Sequence, residues 1–230
     1  MRHIADFRLF EKKEQEKKTK ALQMIEDFEE EFGTELDENF TAAQIELLKK
    51  AFRHFDKKFL KNKVHKIMLE DLGGVHGRWK DTPKKKHMTL NPSIFDFKKE
   101  FENGIEDIPY QEFVIVHEIG HCIDHIEKVS YSKKWQSISG WKKCDINDRI
   151  PEGYDRYIEK RKGREAAGHK KSGWVYKEGS KFCRKYSSRN PREDFADSFA
   201  FAVFKCWRKF EGDEGKEKLD MVKKVLDQVS

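Results

Sequence analysis

Two histidines and a glutamate stand together in the chain at the spacing of a metal-binding helix. Residues 117–121 read His-Glu-Ile-Gly-His, and the apolar residues 113–116 precede them directly. On a helix, side chains four positions apart lie on the same face, so His117 and His121 can both reach one metal ion. Glu118 lies one position further round, where it can contact a water on the metal rather than the metal itself. This spacing predicts a zinc site that polarises a carbonyl and activates water.

A zinc site of this kind needs a third protein ligand, and two of the possible ones fail. His125 follows His121 by four residues, but on a continuous helix it lies about 12 Å from His117, at about 1.5 Å per residue. The three histidines therefore cannot hold one ion together. The metzincin pattern requires glycine at position 124 and histidine at position 127, where the chain has Asp124 and Glu127. That class is excluded.

The remaining candidate is Glu193, a carboxylate on a second predicted helix. Asn190 and Pro191 are typical of a helix start, because asparagine caps free backbone donors and proline suits the first turn. Asp197 follows Glu193 by one turn on the same face, among apolar residues where unpaired carboxylates are costly. We expect Glu193 to be the third ligand. Asp197 is expected to accept a hydrogen bond from the free ring nitrogen of a ligand histidine.

These segments resemble those of a known group of metallopeptidases, the gluzincins. The catalytic domain of anthrax lethal factor and the related Pro-Pro endopeptidases have motifs similar to His117-Glu118-x-Gly120-His121-x-x-Asp124, then Tyr186, then Glu193-x-Phe195-Ala196-Asp197-x-Phe199. The resemblance implies that Glu193 completes the zinc site. It also implies that Tyr186, seven residues earlier, donates a hydrogen bond to the developing oxyanion. Asp124 and Asp197 would be the acidic residues that support the site. Tyr154 and Tyr176 remain alternatives to Tyr186.

A second resemblance leads to the same ligand set. The two segments, together with His125, are also similar to the ImmA/IrrE peptidases, which act on repressors of mobile elements. The spacing between Tyr186 and Glu193 favours the lethal-factor group. Both families imply the same three zinc ligands. We therefore expect a zinc-dependent endopeptidase with one catalytic ion, a protein or peptide substrate, and Glu118 as general base.

The positive charge of the chain is concentrated in one segment. The 230 residues carry a net charge of +6, yet residues 133–189 hold 17 basic against 7 acidic residues, so the remainder is net negative. A basic segment with interleaved aromatic residues can attract nucleic acid. The alternative function is therefore a nucleic-acid-associated binding protein with a structural or degenerate zinc site. A solvated basic loop is favoured over a nucleic-acid groove, and it could also recruit an acidic peptide substrate.

The composition narrows the class of protein further. Charged residues make up 39% of the chain and the mean hydropathy is −0.92, and no run approaches the roughly 18 apolar residues of a membrane span. The first residues lack the apolar core of a signal peptide. We expect a cytoplasmic protein without a membrane partner. The four cysteines form no CxxC pair and are expected to be reduced, although a bond between Cys144 and Cys183 is compatible with the sequence.

The elements that position these residues predict an α+β fold. It would be a zincin-like metallopeptidase domain, with a small sheet beside the HExxH helix and a second helix that carries the third ligand. Residues 1–62 are expected to form a helical N-terminal region that packs on the core. Residues 63–230 are expected to form the metallopeptidase domain, with a basic insertion at about 133–189 that we interpret as an elaborated loop region.

Periodicity and capping signals predict where the individual elements lie. The apolar pattern of residues 45–59 predicts one helix, which Thr41 and Gln44 open as a capping box. The HExxH helix should begin at Pro109 with Asp107 as its cap, and end near Glu127. Further helices are expected over 8–33, from 190 to about 210, and over 219–229, with strands over 64–72 and 86–91.

Overall fold

The protein is an α+β chain, seen here in a computed structural model that describes residues 2–61, 63–73, 75–82, 85–96, 108–159 and 170–229. The described helices are α1 (Arg2–Phe32), α2 (Ala42–Phe52), α3 (Lys57–Lys61), α4 (Tyr110–Glu127), α5 (Lys133–Ile138), α6 (Pro191–Val203) and α7 (Gly212–Val229). The described strands are β1 (Glu35–Leu36), β2 (Lys66–Leu69), β3 (Gly77–Thr82), β4 (Lys85–Leu90), β5 (Lys142–Lys143), β6 (Tyr154–Asp155), β7 (Ile158–Glu159), β8 (Lys170–Lys171) and β9 (Trp174–Lys177).

The chain forms two compact units. The first contains the described residues up to Glu118, and the second contains those from Ile119 to Val229. Helix α4 is continuous across this division. The expected division into a region 1–62 and a domain 63–230 stays a prediction. Asp107, the expected cap of α4, and residues 160–169 of the basic segment lie outside the described residues.

The first unit begins with helices that bury an aromatic cluster. The rings of Phe28, Phe32 and Phe52 pack with centroids 4.8 to 5.4 Å apart. Helix α2 has the predicted capping box, in which Thr41 and Gln44 exchange hydrogen bonds.

One prediction about this region is wrong, because residues 45–59 do not form one helix. Helix α2 ends at Phe52, and the side chain of Asp56 accepts hydrogen bonds from the backbone of Lys58 at 2.7 Å and Phe59 at 3.2 Å. Asp56 thereby caps the separate helix α3.

The sheet of the first unit has the strand order β1-β2-β4-β3. Strand β2 pairs with β4 in parallel, with Ile67 opposite Met88, whereas β3 and β4 form an antiparallel hairpin with Trp79 opposite Met88. Ile67 and Met88 are fully buried. The two strands predicted from the sequence are β2 and β4. The intervening glycine-rich stretch leads into β3, which begins at Gly77.

The second unit contains the rest of α4 together with the described part of the basic segment. That segment is more ordered than a loop, since it contains α5, a three-stranded sheet in the order β5-β9-β6, and a β7-β8 pair. The core of this unit includes Trp135, whose ring packs edge-on against Phe195 of α6 with centroids 5.3 Å apart. Phe199 and Phe201 of α6 are also fully buried.

Helix α6 is shorter than predicted. The apolar pattern that extends to Phe210 predicts a single helix, but α6 ends at Val203 and residues Trp207–Phe210 form a separate 3-10 turn. Lys205 between them has a φ of 56°, a left-handed conformation that a continuous helix does not contain. None of the helices in the described part of the chain is long and apolar enough to cross a membrane.

Candidate metal centre

Helix α4 presents the two histidines of the HExxH motif from a buried surface. Residues Phe113 to Val116 are at most 7% exposed, and the exposures of His117, Glu118 and His121 are 6%, 4% and 8%. The ring of Phe113, one turn earlier, stacks on that of His117 with centroids 6.3 Å apart. Apolar packing therefore fixes the helix, and the four-residue spacing places both imidazoles on one face.

Glu118 lies against strand β3 within the first unit. A Cβ atom placed on Gly77 would come within 2.7 Å of both Cγ and Oε1 of Glu118. No side chain fits there unless the glutamate moves. Glycine at position 77 therefore allows the strand to approach the carboxylate closely. The sequence shows the glycine but does not reveal this contact.

Gly120 has a comparable function at the packing of α4 against α6, within the second unit. A Cβ atom at Gly120 would lie 3.2 Å from the Cα of Ala196 and 3.2 Å from Cδ1 of Phe199. These distances are shorter than the optimal van der Waals separation of two carbon atoms, about 3.5–4.0 Å. The small residue in the HExxH motif thus lets the helix that carries His121 pack closely on the helix that carries Glu193.

The start of α6 places Glu193 at this contact. The side chain of Asn190 accepts hydrogen bonds from the backbone of Arg192 at 3.0 Å and Glu193 at 3.1 Å, which confirms the predicted cap. Oε2 of Glu193 then lies 3.3 Å from Nε2 of His121, and both side chains are largely buried. One ligand atom each from His117, His121 and Glu193 lies within 4.8 Å of the others.

This donor set fits a zinc ion. Two imidazoles and one carboxylate are the ligands of many catalytic zinc sites, which leave a fourth position for water. Nε2 of His121 and Oε2 of Glu193 are close enough to bind the same ion, and neither side chain is more than 16% exposed. His125 is not part of the group. The structure thus brings together the three residues that the sequence singled out as ligands.

Asp124 supports the end of α4. Its fully buried carboxylate accepts hydrogen bonds from the backbone of Ser130 at 2.7 Å and from the Ser130 hydroxyl at 2.6 Å. Nε of Arg192 lies 3.9 Å away from it. Burial raises the pKa of Asp124, and the hydrogen bonds from Ser130 oppose this rise. Asp124 therefore holds the turn after α4 and approaches the residue that precedes Glu193.

Asp197 connects α6 with the segment that carries Tyr186. Its fully buried carboxylate binds Arg184 through two contacts of 2.7 Å and accepts a hydrogen bond of 2.7 Å from the Ser187 hydroxyl. Bidentate pairs of this kind hold both groups in a fixed orientation. The contacts found for Asp197 differ from the one expected, and its hydrogen bond to a ligand imidazole stays a prediction.

Tyr186 lies in the 3-10 turn Lys185–Arg189, among positive charges. Its hydroxyl accepts a hydrogen bond of 2.8 Å from Arg189, and the Arg184 guanidinium lies 4.9 Å from its ring centroid. Burial, followed by the negative charge of Glu193, raises the pKa of Tyr186. The Tyr186 hydroxyl therefore stays protonated at neutral pH. Tyr176 is one of the two alternatives to Tyr186, and its hydroxyl donates a hydrogen bond of 3.1 Å to the Asp155 carboxylate.

A buried ion pair next to Glu193 was not foreseen from the sequence. Oδ1 of Asp194 lies 3.1 Å from Nζ of Lys218 on α7, and both residues are at most 2% exposed. Oδ2 of Asp194 accepts a hydrogen bond of 3.2 Å from the Trp141 indole. Lys218 also donates to the carbonyl of Lys181 at 2.7 Å. Because Asp194 follows Glu193 directly, these contacts fix the rotation of α6.

Comparison with known proteins yields one weak likeness. Neither a protein-family model nor a curated protein matches the sequence. Among solved structures, a candidate zinc-binding metallopeptidase from Bacteroides caccae is similar, with a TM-score of 0.47 and 14% sequence identity over 93% of this chain and 85% of that chain. Similarity at this level does not establish a shared activity. The assignment of function rests on the residues of the site.

Proposed function

We propose that the protein is a zinc-dependent endopeptidase of the gluzincin type. The observation that carries the proposal is the largely buried group of His117, His121 and Glu193, in which one ligand atom from each residue lies within 4.8 Å of the others. The HExxH order places Glu118 beside this group, which is the arrangement of a hydrolytic rather than a purely structural zinc site. Zinc, when bound, supplies a Lewis acid that polarises the scissile carbonyl and lowers the pKa of water to about 7.

Residues of the chain carry out the proton transfer and stabilise the oxyanion. Glu118 takes a proton from the attacking water as the new carbon–oxygen bond forms, and it passes that proton to the leaving amine as the carbon–nitrogen bond breaks. Gly77 leaves the space that the Glu118 carboxylate needs. Tyr186 remains protonated and donates a hydrogen bond to the developing oxyanion. Arg184 and Ser187, which Asp197 holds, fix the turn that carries Tyr186.

Metal content and peptide cleavage together test the proposal. The purified wild-type protein should contain one zinc ion, and Glu193→Ala should lose most of it. Glu118→Gln should keep zinc yet lose at least about 100-fold in turnover of a peptide library, because its amide cannot accept the proton. Glu127→Gln, an exposed change on the same helix, is the matched control and should retain both properties. Cleavage within the peptides, read by mass spectrometry, distinguishes an endopeptidase from an exopeptidase.

Three results would contradict parts of this proposal. Full zinc in Glu193→Ala would mean that another residue is the third ligand. Zinc in the wild type without any peptide cleavage would reject the enzyme. Activity of Glu118→Gln near that of the wild type would reject the mechanism.

The second candidate function is nucleic-acid binding with a structural zinc site. It is supported by the excess of basic residues in the segment 133–189, which contains 17 basic and 7 acidic residues. Binding through phosphate contacts weakens steeply as the salt concentration rises. Tight oligonucleotide binding with a steep salt dependence, together with a lack of peptide cleavage, would favour this function over the first.

A further inference from the structure

A cavity of about 460 Å³ lies at the start of α6, within the second unit. Its walls include the turn after α4, the paired strands β5 and β9, and the residues that open α6. This volume is within the range of about 300–1,000 Å³ that is typical of ligand pockets. The proposed mechanism makes no use of the cavity.

The walls of the cavity carry positive charge. Lys143, Arg189 and Arg192 line it, and no carboxylate is among its described lining residues. The Lys143 ammonium lies 5.6 Å from the ring centroid of Trp174, which also lines the cavity. A concave surface lined by charges of one sign concentrates the field and attracts a ligand of the opposite sign. The cavity is therefore suited to an anionic group.

Aromatic side chains form much of the remaining wall. Tyr131, Tyr157 and Trp174 line the cavity, and Tyr131 is 53% exposed. Flat aromatic faces pack well against the aliphatic part of a side chain and against peptide planes. Cations beside aromatic rings thus suit a group with an apolar stem and an anionic end, as in a glutamate side chain.

Two residues connect the cavity directly with the candidate centre. Arg192, in its wall, immediately precedes Glu193, and Arg189, also in its wall, donates the 2.8 Å hydrogen bond to the Tyr186 hydroxyl. A ligand in the cavity would therefore lie next to residues that we assign to zinc binding and to the oxyanion. A peptide chain extends by at most about 3.3–3.6 Å per residue, so a side chain near the scissile bond can reach such a place.

We propose that this cavity is a specificity subsite that binds an acidic side chain of a peptide substrate close to the scissile bond. The assignment to a substrate rests on the proposed peptidase function. A peptide is favoured over nucleic acid because the cavity has the size of a pocket and adjoins the proposed catalytic residues. A phosphate backbone needs an extended track of cations instead.

Charge reversal on neighbouring residues of one strand provides a sharp test. Lys143→Glu changes the cavity wall. Lys142→Glu makes the same change one residue earlier, on the opposite face of the strand, where the Lys142 ammonium lies 5.9 Å from the Tyr154 ring. Both lysines are exposed, so both variants should fold, and circular dichroism verifies this. Lys143→Gln removes the charge without reversing it and serves as a milder second variant.

Binding is measured in the full-length Glu118→Gln background, so that turnover does not consume the ligand. The probes are a fluorescein-labelled peptide with two adjacent glutamates and the same peptide with glutamines, read by fluorescence anisotropy. We expect the glutamate peptide to bind about tenfold more tightly than the glutamine peptide. Only the glutamate carboxylates can make charge-assisted hydrogen bonds with the cations of the cavity. Lys143→Glu should abolish this preference, Lys143→Gln should reduce it, and Lys142→Glu should leave it intact.

Equal affinity for the two peptides, or equal effects of Lys142→Glu and Lys143→Glu, would overturn the subsite. Tighter binding of a fluorescein-labelled oligothymidylate, with loss in Lys143→Glu alone, would overturn it in favour of a nucleic-acid site. The peptidase proposal can fail separately, because binding is read without cleavage. A preference for glutamate in a protein that cleaves no peptide would keep the anionic site and reject the enzyme.

Discussion

The carboxyl group of Glu118 occupies the space that a side chain at position 77 would need. A Cβ atom on Gly77 would lie 2.7 Å from Cγ and Oε1 of Glu118, well inside contact distance. The first residue of β3 therefore limits where the candidate general base can lie. A residue distant in sequence from the HExxH motif thus contributes to its geometry.

Gly77→Ala should consequently cause a large loss of peptide turnover and a moderate loss of unfolding free energy. The added methyl group displaces the Glu118 carboxylate, and a shift of about 1 Å can cost about 100-fold in turnover. Overpacking of this kind lowers the free energy of unfolding by about 1–3 kcal/mol. Zinc content should not change, because Glu118 is not a ligand. Peptide turnover, thermal unfolding and metal analysis provide the three measurements.

The Glu118→Ala background is the control for the effect of Gly77→Ala on stability. Alanine removes the Cγ and Oε1 atoms that the new methyl group would meet, so Gly77→Ala should lower the free energy of unfolding little further in that background. An equal loss of stability in both backgrounds would show that Gly77 acts through something other than Glu118.

Lys218→Met should destabilise the second unit strongly. The variant leaves the buried Asp194 carboxylate without its ammonium partner, which lies 3.1 Å away in the wild type. Removing one member of a buried pair costs about 3–5 kcal/mol. Lys216→Met, an exposed change on the same helix, should cost little. Denaturant unfolding measures both.

A double variant tests whether the lysine acts through Asp194. Adding Asp194→Asn to Lys218→Met should recover part of the loss, because no unpaired charge then stays buried. Strictly additive losses would mean that the two side chains stabilise the protein independently.

Local signals in the sequence were sufficient to predict the two helices that carry the candidate ligands. The apolar run before the HExxH motif predicts a helix that ends near Glu127, and α4 ends there. Asn190 predicts the start of α6, where its side chain caps two backbone donors. Both signals depend on neighbours within one turn. Such features can be predicted from sequence because they do not depend on the tertiary structure.

Contacts between residues that are distant in the sequence could not be predicted from such local signals. The approach of Gly77 to Glu118, the pair of Asp194 and Lys218, and the bidentate contact of Arg184 with Asp197 each join residues that no periodic pattern relates. The apolar pattern was also misleading where the chain breaks. It continues past Val203, although Lys205 adopts a left-handed conformation and Phe210 is buried from a separate 3-10 turn.

The four thiols should react in two groups under native conditions. Cys122 and Cys183 are buried, whereas Cys144 and Cys206 are half-buried. Burial raises the pKa of Cys183 to about 12. Because the thiolate is the reactive form, Cys183 should resist iodoacetamide at pH 8, and it should still react slowly at pH 10, below that pKa. Peptide mass spectrometry follows each site.

Unfolding in denaturant is the control for the thiol experiment. All four cysteines should then be alkylated without a reducing agent, since the structure places none of these four described residues in a disulfide. If Cys144 and Cys183 became reactive only after reduction, a disulfide between them would be present and the structure of this region would be wrong.

Tyr186→Phe should separate turnover from binding. The variant keeps the ring and removes the hydroxyl proposed to donate to the oxyanion, so kcat should fall by about 100- to 1,000-fold. Zinc content and KM should change little, because neither depends on that hydroxyl. Tyr176→Phe and Tyr154→Phe test the two alternative oxyanion donors. The Tyr176 hydroxyl already donates a hydrogen bond to Asp155. Steady-state kinetics on one peptide compares all three. If Tyr176→Phe lost turnover while Tyr186→Phe retained it, the oxyanion donor would be Tyr176, and the implication drawn from the spacing between Tyr186 and Glu193 would be wrong.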